Sequence, residues 1–316
     1  MRFFAVWLYL SWKNFTGKLA EQVGKSREWH GKTARFLFRH LDYRAGFLLA
    51  HISRGLRLTG RRRRNLALVA EENKRCLLGP DAAPLRHTWV SQRRQLLDLA
   101  ATYGQSAQIQ SELKQCADQL NQIVEPLHQN GSPVILAPMH MVSDILAGIV
   151  GSMVYPGKAT VVVSSSAEIY QEQDRAMGGV NLTYCSIHSD NRMIAGNLMD
   201  SIMEAADHQR NIMIFPDITP DYTLDTNETR AGKLNCTLFN RPAHLHSGII
   251  RLARVLSAQV VFYNLYYDKG IKIHIEPPVA ARELKKKMPV IIEESITRHP
   301  ADWLLWHAHS LYFINE

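Results

Sequence analysis

Cysteine is scarce and scattered. The four in the chain are Cys76, Cys116, Cys185 and Cys236, and no two of them form a C-x-x-C pair. This argues against a disulfide framework or a zinc site and fits a reducing compartment. Glycines are too dispersed to build a phosphate-cradling loop. Ser164-Ser165-Ser166 lacks the G-x-S-x-G surroundings of a hydrolase nucleophile. There is no internal repeat, no low-complexity tract, and no apolar run of the roughly 20 residues that span a bilayer. Acidic residues are the minority: 29 Asp and Glu against 37 Lys and Arg leave a formal charge of +8. Such an excess suits an anionic partner, whether lipid headgroups, an acidic protein or nucleic acid.

With 46% hydrophobic residues over 316 positions, the chain can bury a large core. Its start, MRFFAVWLYLSW, is apolar but short, runs into Lys13 and Lys18, and has no A-x-A-like cleavage site, unlike a signal peptide. Trp7, Tyr9 and Trp12 are residue types that favour the membrane interface. A helix packed on the rest of the protein is the other reading of the segment. Arg61 to Arg64 form a basic cluster without the interleaved aromatics of a nucleic-acid surface, so anionic lipid suits it better and no nucleic-acid partner is expected.

The periodicity divides the chain at residue 130. Residues 1–130 read as helices: one over 41–58, a second resuming at Asn65, and two more over 85–128 that break near Tyr103-Gly104. Asn130-Gly131-Ser132-Pro133 is a turn signal. From 131 to 316, short apolar runs alternate with helical patterns. Strands are expected at 134–138, 159–165, 211–217, 259–267 and 270–277, with helices at 143–154, 191–206 and 248–258. This predicts an α/β fold, a mostly parallel central sheet flanked by helices, with an N-terminal helical extension.

The first strand runs into Pro138-Met139-His140-Met141-Val142-Ser143-Asp144. In open α/β sheets, reactive groups collect at the carboxyl ends of strands. A histidine there can take a proton from an attacking hydroxyl, because its ordinary pKa lies near neutrality. Asp144, four residues on, is placed by helical spacing to hold the imidazole in one tautomer. The plainer reading makes Asp144 a helix cap and His140 a polar filler.

From about residue 42 to the C-terminus, the chain resembles the bacterial lipid A late acyltransferases. These are the lauroyl and myristoyl transferases of the lysophospholipid acyltransferase superfamily. The resemblance rests on RRNLALV (63–69), the strand leading to His140, IFPD (214–217), LFNRPAHLHSGIIRLARVLSAQVV (238–261) and HPADWLLWHAHSLYF (299–313), in that order. It implies a glycerolipid acyltransferase-like core, a histidine general base, and no metal or other cofactor. The acyl donor it implies is acyl carrier protein or acyl-CoA, and the acceptor a hydroxyl or amine of a lipid or glycolipid. The location it suggests, together with the aromatic start and the basic cluster, is peripheral on the cytoplasmic face of the bacterial inner membrane.

The family places an Asp or Glu five positions after its histidine. Here position 145 is Ile and the carboxylate comes one residue early at Asp144, which leaves a shifted dyad or a weakened site as alternatives. Asp217 corresponds to the family's Pro-Asp motif and is expected to bind substrate, or else to cap or anchor its loop; it is also the next candidate to partner His140 if Asp144 does not. Asp221-Tyr222 matches an acidic-aromatic pair after it. Arg251 and Arg254, three apart on one helix face, can meet phosphate on a donor arm or lipid head. His307 is a further candidate for acceptor binding. The basic pair that follows the family's terminal Trp motif is absent, as is its Tyr-Arg-Pro after the second strand. A catalytically degenerate member that only binds lipid or a partner is the alternative function.

Overall fold

The computed structural model describes residues 36, 39, 42–55, 64–163, 182–186, 192–218 and 232–308. The aromatic start, Arg61 to Arg63, Ser164 to Ser166 and Asp221-Tyr222 lie outside these residues.

The expected N-terminal helices are present as α1 (Tyr43–Gly55), α2 (Arg64–Leu78), α3 (His87–Ala101) and α4 (Ala107–Gln129). The strand β1 (Val134–Pro138) follows and is buried along its whole length, as a continuous apolar run at the centre of a parallel sheet should be. Then come α5 (Asp144–Met153), β2 (Ala159–Val163), β3 (Leu182–Ser186), α6 (Arg192–Ala206) and β4 (Asn211–Met213). A hairpin, β5 (Lys233–Leu238) and β6 (Arg241–His246), precedes α7 (Gly248–Leu256). The chain continues through β7 (Gln259–Tyr267), β8 (Ile271–Ile275), β9 (Val279–Ala280) and α8 (Leu284–Arg298).

Seven strands form one sheet in the order β3-β2-β4-β1-β7-β8, with β9 also on β7. The pairs among β3, β2, β4, β1 and β7 are parallel, and β8 and β9 run antiparallel to β7. The fold is therefore α/β with a mostly parallel mixed sheet flanked by helices. Alternation along β1 sorts the two faces. Ile135 and Ala137 join the core beneath α7 and α8, whereas Val134 and Leu136 join the core beneath α1, α3, α4 and α5. Gly151 allows α5 to lie flat on the sheet: a Cβ there would fall 2.2 Å from Met213 Cε and 2.8 Å from the Tyr263 hydroxyl.

Three features depart from the expected elements. The strand expected over 211–217 pairs only through Met213, apart from one further bond from Ile214 N to Leu136 O at 3.0 Å. Pro216 has no N–H to extend a ladder, so Phe215 to Asp217 are released into a loop. The β5–β6 hairpin turns through Phe239 and Asn240 with φ of 51° and 60°, a two-residue turn built without glycine. The boundary at 130 does not separate two cores. Leu113, Leu120 and Val124 of α4 lie in the same cluster as Val134, Leu136 and Val261 of the sheet. Among the described residues no helix is long and apolar enough to cross a membrane.

Because α4 shares the sheet's core, Leu120→Ala should lower stability by about 2–5 kcal/mol. Urea unfolding followed by both circular dichroism and tryptophan fluorescence should give one coincident transition at a lower midpoint. Separate transitions for helix and sheet would contradict the shared core.

Candidate active site

Parallel pairing of β1 with β4 puts Leu136 opposite Met213. Four residues further along each chain, past the carboxyl ends of both strands, stand His140 and Asp217. They meet: His140 Nδ1 lies 2.7 Å from Asp217 Oδ1, and His140 N donates to Asp217 Oδ2 at 2.9 Å. A third donor, Trp303 Nε1, reaches Oδ2 at 3.0 Å. Asp217 is fully buried, while the His140 side chain keeps 14% exposure. Asp217 acts as an acceptor in all three bonds, so Nδ1 carries the hydrogen. In the neutral ring Nε2 then holds the free lone pair, and it has no hydrogen-bond partner among the described residues. The Phe215 ring lies against the imidazole, with centroids 4.3 Å apart.

The expected partnership of His140 with Asp144 is corrected. The i, i+4 reading assumed a helix running from His140, but α5 starts only at Asp144. Between them the backbone makes two tight turns, Met141 N to Met139 O and Ser143 N to Met141 O, each 2.7 Å. Val142 sits at φ 60°, a left-handed conformation that costs a β-branched residue roughly 1–3 kcal/mol. Asp144 consequently points to Arg94 of α3, with which it forms an ion pair, and it supplies negative charge to the first turn of α5. Ser143 is the helix cap, its Oγ accepting from Leu146 N at 3.1 Å.

The C-terminal segment holds the turn from the other side. Leu304 N donates to His140 O and Val142 N to Asp302 O, both at 2.9 Å. Asp302 is itself buried in an ion pair with Arg93 of α3. Sequence reasoning missed Trp303, Ser143, Arg93, Arg94 and Asp98. The terminal Trp motif was visible, but nothing in it marked an indole donor aimed at Asp217.

Of the other candidates, Arg251 and Arg254 are exposed on α7. His307 lies beside His87, ring centroids 5.8 Å apart, and burial lowers its pKa so that the neutral ring is favoured. His140 and Asp217 are thus brought into direct contact, whereas Asp144 is turned to other work. Among the described residues no group of three or more His, Cys, Asp and Glu is arranged to hold a metal ion. No protein-family model matches the chain, and no curated protein aligns with it significantly.

Asp98 lies just behind the turn. It accepts a hydrogen bond from Ser143 Oγ, and its Oδ2 is 3.6 Å from Arg94 Nε. Burial pushes its pKa up to about 7; the Ser143 bond and Arg94 oppose the shift, and Asp144 adds to it. A carboxyl raised in the folded state contributes stability that is full below its unfolded value and is lost as pH rises through the folded one. The parent's unfolding free energy should therefore carry a component that declines from about pH 4 to about pH 7. Asp98→Asn should flatten that decline in urea titrations across the range. An unchanged pH dependence would contradict the assignment.

Proposed function

We propose that the protein is an acyltransferase that moves a fatty acyl chain from an acyl carrier protein thioester, or acyl-CoA, to a hydroxyl or amine of a lipid or glycolipid. The observation that carries this reading is the buried Asp217 carboxylate on His140 Nδ1, which leaves Nε2 as a base at the carboxyl ends of β1 and β4. His140 Nε2 takes the acceptor's proton as its oxygen or nitrogen attacks the thioester carbonyl. The tetrahedral oxyanion then collapses and the carbon–sulfur bond breaks. The leaving thiolate recovers the proton from the imidazolium, giving the ester or amide and a free thiol. Asp217 fixes the tautomer and stabilises the cation in between.

Two further observations support a membrane-surface acceptor. Leu48, Leu49 and Ile52 of α1 and Leu66 and Leu68 of α2 are exposed by half or more of their area, or close to it. They lie beside the sequence that carries Arg61 to Arg64 and match an apolar wedge flanked by charge on an anionic bilayer. The cytoplasmic face of the inner membrane is the location we assign. Arg251, Arg254 and His307 remain candidates for donor or acceptor contacts.

His140→Ala should lower acyl transfer from thioester donors to extracted membrane lipids by about 10²–10⁴-fold without unfolding the protein. Product mass spectrometry identifies the acylated lipid and calorimetry checks the fold. Parent-level transfer by the variant would contradict the base. In fractionated cells the protein should pellet with membranes, and full recovery in a low-salt supernatant would contradict the location.

A further inference from the structure

The turn that carries His140 is held by a helix of the N-terminal layer. Helix α3 sends one side chain to it and two more to the residues that flank it. Arg93 pairs with Asp302, whose backbone oxygen accepts from Val142 N. Arg94 pairs with Asp144, and Asp98 accepts from Ser143 Oγ. Ser143 Oγ in turn caps α5 through Leu146 N, so one hydroxyl links α3, the turn and α5. The turn needs this hold, because Val142 at φ 60° has an unfavourable backbone that relaxes when its surroundings stop specifying it. Relaxation at Val142 would move the peptide joining Met141 to it and, with it, His140 away from Asp217.

We infer that Asp98 is a positioning residue, which acts through Ser143 to keep the His140 turn in the conformation where Nδ1 meets Asp217. Arg93 and Arg94 brace the same turn at its Asp302 and Asp144 sides. The inference rests on His140 being the base, but the geometry it describes exists whether or not the reaction is acyl transfer. It also gives α3 a second task beyond packing: the N-terminal layer sets the alignment of a catalytic group carried by the sheet.

The test uses the full chain labelled with [15N]histidine, with His140→Gln to assign the His140 signals. Long-range 1H–15N spectra read the tautomer directly. The parent should show His140 with its hydrogen on Nδ1. Asp98→Ala should show averaged ring nitrogens, and kcat should fall by about 10²-fold at nearly unchanged KM, the scale of a small misplacement of a reacting group. Asp98→Asn retains an acceptor oxygen for Ser143 and should restore both the tautomer and kcat.

An unchanged His140 signal in folded Asp98→Ala overturns the inference whatever the rate does. A changed signal with parent-level kcat overturns it too. If Asp98→Ala does not fold, Ser143→Ala breaks the same link and is read in the same way. If the parent transfers no acyl group in any assay, the functional reading fails and the tautomer alone decides. Averaging in Asp98→Ala then supports the positioning role, and its absence overturns it.

Discussion

The register between β1 and β4 is the constraint on which the site depends. Two parallel strands, adjacent though separated by more than seventy residues, bring His140 and Asp217 level where their ladders end. Pro216 stops β4 from pairing further, and the turn after Pro138 stops β1, so both side chains stand clear of the sheet while their backbones remain fixed by it. A slip of one residue would reverse the faces of β4 and separate the pair. The apolar alternation of Ile212 and Met213 onto opposite cores opposes such a slip. Packing on both faces therefore sets the geometry at the strand ends.

Desolvation gives this geometry its value. Asp217 is fully buried yet accepts from the backbone N and ring Nδ1 of His140 and from the indole of Trp303, so its direction is fixed. The backbone strain at Val142 is held by neighbours on both sides: the C-terminal segment through Asp302 and Leu304, and α3 through Asp98, Arg93 and Arg94. The N-terminal helices are thus part of the structure that holds the candidate site. The same layer exposes leucines on α1 and α2, which places a candidate membrane face and the brace of the site in one stretch of sequence.

Much of this was legible in the sequence. Val134–Pro138 and Gln259–Tyr267 emerge at the expected bounds, because buried apolar runs between turn signals leave little choice. His140 stood out as a candidate for the same reason, since a histidine directly after a buried strand is a local pattern. Its partner was misassigned: Asp217 was visible as a strand-end candidate, but helical spacing favoured Asp144, and only strand order puts Asp217 beside the imidazole. The Phe239-Asn240 hairpin gave no glycine signal, and α8 includes Pro289, which reads as a breaker. Asp98 was invisible: on an otherwise ordinary amphipathic helix, nothing local tells a partly buried acceptor from a solvated carboxylate.

The account stands on His140 and Asp217 working as one unit, and a double-mutant cycle on acyl transfer tests this directly. His140→Ala, Asp217→Asn and the double variant would be compared in kcat/KM against the parent, each with its melting temperature. The account predicts strong non-additivity, with the double variant little slower than His140→Ala alone, because Asp217 acts on the reaction through the imidazole. Losses that simply multiply would mean that the two residues act independently, and would contradict the dyad.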